Sequence, residues 1–474
     1  MTAAREHFSS RIGFILAAAG SAVGIGNLVG FPVNAAKNGG GAFLLMYALF
    51  VFFICLPVMV AEMAVGRKTQ KEPVGAYKTL SNGSRFWSFA GFLGVLTPFM
   101  IAVFYMVITV WIFGYISIIL AGNLDYLATG AAFGDFINSP YIFIAMAVVA
   151  AIVNFILVAG VKDGIEKAAK VLMPTLFFML ILMVIFVLTL DNAMAGIKFF
   201  IIPDIDKITP SVVNGALSQA FFSLSLGMGI LITYGSYIDR KTDIVGSAKL
   251  VALTDTAIAF IAGLMILPAV FSFNPNVNPA ELSDSSVSLI FTFLPKIFLA
   301  LQTSIGYFAA SAVAAFFFIL VFFAAITSLV SILEVPVSYL VTEKGKSRKN
   351  ALLTLLMTAG ILTVCATVSF GMVSFFTDFV NYAGASKSLF DVIIDIFYDT
   401  ILPLNGLLLC IFVSYRWKKK QLTKELSDGN ESYANSWVEK YINFSLGTFI
   451  PVIVCFIFIN TVLQKFFSIS LFGF

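Results

Sequence analysis

Asp255 is the sharpest chemical feature of the chain. It lies in Thr254-Asp255-Thr256, inside a long apolar run and with no basic residue close by in sequence. An aspartate at the centre of a membrane helix costs at least ~2.5 kcal/mol, so it needs a partner or a cavity. A sodium ion is a partner that fits. Its oxygen ligands would come from Asp255, the Asn27 side chain, Ser223 and the carbonyl of Ala22, since hard cations take oxygen ligands. The plainer alternative is a carboxylate hydrogen-bonded to a neighbouring helix. Asn27 closes a second unusual stretch, Gly20-Ser21-Ala22-Val23-Gly24-Ile25-Gly26-Asn27. Lipid supplies no water to satisfy free backbone groups, so three glycines and an asparagine at mid-span predict an unwound segment that lines a cavity. Free amides at Gly24 and Gly26, beside the amino end of a half-helix, favour a carboxylate. Close helix packing is the competing explanation of the glycines. A third site is suggested by Ala324-Ala325-Ile326-Thr327-Ser328, with two hydroxyls and the Ala324 carbonyl. Back-bonding of those hydroxyls to their own helix is the alternative there.

These residues need long apolar elements to hold them. Hydrophobic residues make up 60% of 474 and charged residues 11%, whereas soluble domains carry about a quarter charged residues. Mean hydropathy is +0.99. The composition predicts an all-α polytopic membrane protein with one domain over 1–474. At roughly 20 residues per crossing, eleven spans are expected: 11–37, 41–68, 88–121, 140–160, 166–190, 212–238, 244–273, 299–341, 350–372, 388–416 and 443–467. The first is too long, and too interrupted, for a cleaved signal. The sixth repeats the oddity of the first, with Ser223, Ser225, Gly227 and Gly229 at mid-span. Cys55, Cys365, Cys410 and Cys455 sit in apolar runs and read as small hydrophobes. One histidine, His7, leaves no room for His-based metal or catalytic chemistry. No phosphate-binding loop or nucleophile motif is present, so no enzyme and no nucleotide-driven pump is expected.

Basic residues cluster in alternate loops. Arg67, Lys68, Lys71, Lys78 and Arg85 follow the second span, Lys344, Lys346, Arg348 and Lys349 the eighth, and Arg416, Lys418, Lys419 and Lys420 the tenth. The positive-inside rule places these loops and the amino end in the cytoplasm, and eleven crossings put the carboxyl end outside. The net charge of +4 is explained by these loops and gives no reason to expect nucleic acid.

Arg5, Gly24-x-Gly26-Asn27, Phe31-Pro32 and Asn38-Gly39-Gly40-Gly41-Ala42-Phe43 resemble the opening of the neurotransmitter:sodium symporter family, and most of all its bacterial amino-acid transporters. The resemblance implies a broken-helix 5+5 inverted-repeat fold. The repeats would be 11–190 and 212–416, with an extra helix at 443–467. It implies two sodium sites. The first is the Ala22, Asn27, Ser223 and Asp255 set. The second joins the carbonyls of Gly20, Val23 and Ala324 to Thr327 and Ser328. It also implies a substrate site at Ala22, Gly24, Gly26, Ile101, Tyr105, Phe222, Ser223, Ser225, Met228, Ser328 and Ile332. In it Tyr105 bonds the substrate carboxylate, and Ile101, Phe222, Met228 and Ile332 form an apolar pocket. Aminergic members carry Asp where this chain has Gly24, so the substrate expected is an amino acid, and the pocket suggests a hydrophobic one.

Further family marks follow the same register. Tyr47 and Gln219 match residues around the chloride of chloride-dependent members, which keep Asn at the position of Asp255. A fixed acid there implies that chloride is not required. It also implies outward proton movement, since the empty carrier must return with the carboxylate neutralised. Gly164 and Pro174 match a motif for unwinding the fifth helix, and Glu62 an acid that holds the break in the sixth. Arg5, Ser236 and Tyr237 match the inner gate, with Glu343 as the acid expected for Arg5. The family's outer-gate arginine falls at Gly30. That leaves Asp391, Asp395 and Asp399, spaced along one helical stripe, to be solvated, paired with Lys387, or used for a cationic ligand.

The function expected is sodium-coupled import of an amino acid across the cell membrane by alternating access, with lipid around the protein and no obligate protein partner. The rivals are transport of a cationic amino acid or amine, and a receptor or channel that kept the fold.

Overall fold

The computed structural model describes residues 6–273, 287 and 289–469. Nine helices among the described residues are long and apolar enough to cross a membrane. They are helix 2 (Gly41–Thr69), helix 3 (Arg85–Leu120), helix 4 (Tyr141–Val158), helix 5 (Val161–Leu188), helix 7 (Ile244–Phe273), helix 8 (Tyr307–Thr342), helix 9 (Arg348–Thr367), helix 10 (Leu389–Ser427) and helix 11 (Trp437–Phe467). Helix 1 is a pair, Arg11–Ala22 and Gly26–Lys37, bent by 53°. Helix 6 is also in two pieces, Pro210–Ser223 and Ile230–Gly235, on either side of residues 224–229.

Helical closure of backbone hydrogen bonds is the only economical state for these apolar runs in lipid, and the departures from it have local causes. In helix 1, Val23 turns to an extended conformation and the chain restarts as a wide turn over Gly26–Gly30. In helix 6, Ser225, Gly227 and Gly229 all adopt positive φ, at 53°, 78° and 66°. No helix can continue through three left-handed residues.

Several boundaries differ from the sequence reading, among them the start of helix 5 at Val161 and not at 166. Helix 8 starts at Tyr307 and not at 299, because Gly306 at φ 81° ends the short helices Leu294–Ala300 and Gln302–Ile305 before it. Helix 9 stops at Thr367. Helix 10 runs on to Ser427, past a positive φ at Lys418. Helix 11 begins earlier, at Trp437.

Segments after odd-numbered helices meet on one face. There Tyr307 donates to the Gly122 carbonyl (2.7 Å), and Ser468 to the carbonyl of Ala383 (3.2 Å). A two-stranded antiparallel hairpin, Val380–Tyr382 with Ala385–Lys387, lies on this face. Segments after even-numbered helices meet on the other, where most of the basic residues lie. Here Glu6 accepts from the amide of Val161 (2.5 Å), and Arg67 donates to the carbonyl of Thr242 (2.5 Å). We call these the hairpin face and the basic face. Between them the broken helix 1 packs against helices 5, 7 and 8, and helix 3 lies along helix 8.

Candidate functional site

The two helix breaks and helix 7 converge on Asp255. Its carboxylate is fully buried and takes three donors. Asn27 Nδ2 lies 2.6 Å from Oδ1, the Tyr47 hydroxyl 2.8 Å from Oδ2, and Ser223 Oγ 2.9 Å from both oxygens. Asn27 also reaches Ser223 Oγ at 2.9 Å, and its own oxygen accepts from the Gly24 amide at 3.1 Å. One detail departs from the expected ligand set: Asn27 turns its NH2, not its oxygen, toward the carboxylate. An ionised carboxylate only accepts, so it takes the donor end of the amide. The pairs around it continue outward. Gln219 donates to the Gly26 carbonyl (3.2 Å) and accepts from Asn34 (2.8 Å). The break in helix 1 is thus tied directly to helices 6 and 7, and through Ser223 and Asp255 to Tyr47 of helix 2.

A second cluster lies where helix 8 crosses the first half of helix 1. Ser328 Oγ stands 3.3 Å from the carbonyl oxygen of Gly20, 3.2 Å from that of Ser21 and 3.2 Å from that of Val23. A hydroxyl has one hydrogen, so three carbonyls share one donor there. Such an oxygen-rich, proton-poor spot suits an alkali cation. Thr327 behaves differently. Its hydroxyl bonds back to Phe323 (3.1 Å) and Ala324 (3.0 Å) in its own helix, although its Cβ lies close to Gly20. Thr327, Ser328, Gly20, Val23 and the Ala324 carbonyl are therefore neighbours, with Ser328 as the bridge.

The remaining site residues surround Gly24. Tyr105, from helix 3, sets its hydroxyl 3.2 Å from the amide of Ile25. A Cβ on Gly24 would fall 2.6 Å from that hydroxyl and 2.7 Å from Ser328 Oγ, so any larger residue would have to displace both hydroxyls. Gly26 is the opposite case: it is exposed, and an added Cβ would meet nothing within 4 Å. Ser225 Oγ donates to the Ser21 carbonyl at 3.1 Å, which joins the two breaks. Ala22, Ile101, Met228 and Ile332 are buried, and Phe222 is half-buried. Phe222 stacks on Tyr398 of helix 10, with ring centroids 4.3 Å apart. Tyr398 also meets the ring of Phe104 edge-on at 5.7 Å.

The two ways out of this region differ. Toward the basic face it is plugged. Phe8 packs edge-on against Phe14, Tyr234 and Tyr237. Tyr237 donates to Glu334 at 2.7 Å, and Arg348 clamps that buried carboxylate with contacts of 2.6 and 3.2 Å. Ser236 is buried in the same layer and donates to the carbonyl of Thr233 (2.5 Å). Arg5 lies outside the described residues. Glu343, its expected partner, has Lys78 at 3.9 Å among the described residues, where the end of helix 8 runs beside the short helix Pro73–Leu80. Toward the hairpin face, Gly26, Gly30, Phe222 and Tyr398 all keep some exposure. The Asp stripe of helix 10 also resolves. Asp391 caps its own helix through Ser388. Asp395 and Asp399 both pair with Lys465 of helix 11, at 2.9 and 2.7 Å, while Lys387 stands farther from Asp395, at 3.7 Å.

Sequence reading missed Glu334 with Arg348, Tyr398 and Lys465 as partners. The three acids of helix 10 did stand out as a stripe. Nothing in the sequence tells which distant lysine or arginine meets them.

Two discontinuous helices whose breaks face each other, with oxygen clusters on either side, define a secondary transporter. Comparison with known proteins gives its family. The sequence profile of the Sodium:neurotransmitter symporter family matches residues 5–139 and 135–471. A sodium-dependent transporter of Bacillus subtilis, YhdH, is 33% identical over 464 residues, covering 96% of this chain and 97% of the relative. A sodium-dependent transporter of Haemophilus influenzae is 34% identical over 480 residues, covering 96% and 98%. Among solved structures, MhsT in complex with L-phenylalanine superposes with a TM-score of 0.82 at 38% identity, covering 96% of this chain and 99% of that one. The chain belongs to the sodium:neurotransmitter symporter family, a family of multi-pass sodium-dependent transporters and not of enzymes.

Proposed function

We propose that the protein imports a hydrophobic amino acid together with sodium, and that it does so without chloride. The observation that carries this reading is the pair of oxygen clusters flanking the helix 1 break, one on Asp255 and one on Ser328. The first would hold a sodium ion between the Asp255 carboxylate, Ser223, the Ala22 carbonyl and the Asn27 oxygen. The last needs a half-turn of the amide, which exchanges O for N at little cost in shape. The second would hold a sodium ion among Gly20, Val23, Ala324, Thr327 and Ser328. The substrate carboxylate would meet Tyr105 and the amides beside Gly24 and Gly26, and its side chain would fill the space bounded by Ile101, Phe222, Met228 and Ile332. A bound L-phenylalanine in MhsT supports an apolar substrate. The repeats 11–190 and 212–416 would form the two halves of an alternating-access machine, with the amino end in the cytoplasm.

The chloride argument is electrostatic. Unit charges a few ångströms apart in a partly dry site interact by several kcal/mol, so a sodium ion needs a nearby negative charge. Asp255 supplies it permanently, where a neutral residue would call for a mobile anion. The test is uptake of L-phenylalanine, L-leucine and L-tryptophan into proteoliposomes, with sodium or choline outside and chloride or gluconate as the anion. We expect uptake of at least one of them with sodium in either anion. Uptake that stops in gluconate would remove Asp255 as the counter-charge. The absence of sodium-driven uptake for every amino acid tried would remove the symport reading.

A further inference from the structure

We infer that Lys465 of helix 11 is a positioning residue for access to the central site: it holds the turn of helix 10 that keeps Tyr398 over Phe222.

Three observations carry this. First, the contact is built and specific. Lys465 Nζ lies 2.9 Å from Asp395 and 2.7 Å from Asp399, carboxylates one turn apart on helix 10. Asp395 is buried, and it also accepts from the Tyr382 hydroxyl of the hairpin at 2.7 Å. The only other cation near this pair among the described residues is Lys387, 3.7 Å from Asp395. Removing Lys465 leaves two carboxylates facing each other, with Lys387 beside Asp395 alone and no cation on Asp399 among the described residues.

Second, the turn it holds is not ordinary helix. Residues Ile394–Ile401 form a π-helical stretch, and the Thr400 hydroxyl reaches back to the Asp395 carbonyl at 2.7 Å. Wide turns of this kind lack the tight i+4 ladder and favour functional positions. A charge clamp from a neighbouring helix is therefore placed on a turn that lacks the regular ladder.

Third, the clamped turn carries Tyr398, next to Asp399. Its ring spans from helix 10 to Phe222 at the helix 6 break and to Phe104 on helix 3. On the hairpin-face side of the breaks this aromatic bridge is the layer that crosses above the site. Displacing the turn displaces the bridge. Gly30, the residue of helix 1 on this route, has no side chain to help.

The inference rests on the reading that a site near Gly24 and Gly26 opens toward the hairpin face, so its test needs neither substrate nor sodium. Gly26→Cys is the reporter, because the position is exposed and a side chain there meets no atom. It is made with Cys365 and Cys455, the two partly exposed native cysteines, replaced by alanine. The rate of its modification by a membrane-impermeant methanethiosulfonate is measured in proteoliposomes without substrate. Lys465→Gln should raise that rate tenfold or more, while Lys465→Arg should stay within threefold of the parent. Should Lys465→Gln fold poorly, Asp399→Asn breaks half of the clamp and should give a smaller rise. Tyr398→Ala should raise the rate by itself, and adding Lys465→Gln to it should change little, since both act through one ring. An unchanged rate in Lys465→Gln, an Arg variant as fast as the Gln variant, or additive effects of Lys465→Gln and Tyr398→Ala would each overturn the inference. Uptake assays on the parent, run separately, report on symport alone.

Discussion

Tyr105 and Gly24 form the most sensitive contact of the site. Tyr105 offers its hydroxyl within 3.2 Å of a freed amide. Tyr105→Phe keeps the ring and removes only that oxygen. A hydrogen bond to a charged group is worth about 1.5–3 kcal/mol, so substrate affinity should fall roughly ten- to a hundredfold, measured by equilibrium binding in sodium. Equal affinity would mean that no carboxylate meets this hydroxyl. Gly24→Ala should be worse, because the added carbon would sit 2.6 Å from Tyr105 and 2.7 Å from Ser328. Binding of substrate and sodium should both be lost, as read by the thermal shift each ligand produces. Ser328→Ala removes the one hydroxyl that three carbonyls share. We expect a higher sodium concentration for half-maximal uptake, with substrate affinity at saturating sodium little changed.

Much at this scale was readable from residue types alone. Asp255, Asn27, Ser223 and Ser328 are polar or charged atoms in apolar runs, and such atoms advertise their need for partners. The apolar members are another matter. Ile101, Met228 and Ile332 look like any core residue, and only resemblance selects them. The partner of an acid is harder still, as Glu343 shows. Its place in the register pointed to Arg5, and the short helix after helix 2 also brings Lys78 to it, which the register does not announce.

Among the elements, helix 6 is broken by backbone conformation as much as by glycine. Ser225 holds φ 53° without being glycine, a conformation that costs of order 1 kcal/mol or more for a residue with a Cβ. Its hydroxyl bond to Ser21 offsets part of that. Ser225→Gly therefore relieves strain while it cuts the tie between the two breaks. The variant should be as stable as the parent within about 1 kcal/mol, yet transport more slowly. A large loss of thermal stability would show that the tie, and not the strain, dominates. Helix 10 offers a second case. Its extension toward Ser427 is anchored by the fully buried Arg67, whose Nε lies 2.7 Å from Glu425 and whose Nη2 donates to the Glu425 carbonyl. Lys68 reaches the same carboxylate at 3.2 Å. Removing one member of a buried pair costs about 3–5 kcal/mol, so Arg67→Met should lower the melting temperature in detergent markedly. The sequence shows Arg67 as one of several loop cations that set topology. Its burial follows from the extra turns of helix 10 folding back on it, which composition does not announce.

Over the whole molecule, the long apolar helices and the breaks in the first and sixth were legible because lipid imposes one rule on every segment. The asymmetry between the faces was not. Toward the basic face, aromatic rings and the Glu334–Arg348 clamp form a filled layer. Toward the hairpin face, a stacked pair of rings and a lysine clamp do the same work more loosely. Those layers join residues hundreds of positions apart, such as Phe8 with Tyr237, and no local pattern encodes such a meeting.

Helix 2 and the second piece of helix 6 meet through glycines on both sides. Gly66 faces the Ile232 carbonyl so closely that no side chain fits, and a Cβ on Gly235 would lie 2.5 Å from the Met63 carbonyl. Backbone touches backbone there, without the cushion of side chains that lets other helices slide by small rotamer changes. In mechanical terms the seam has almost no compliance. Residues 56–69 and 230–235 behave as one stiff beam, and any load on one is carried by the other. Amide exchange should reveal it: both segments should open with the same free energy and respond together when sodium is added, as a single cooperative unit does. Separate exchange rates for the two would show that the seam yields.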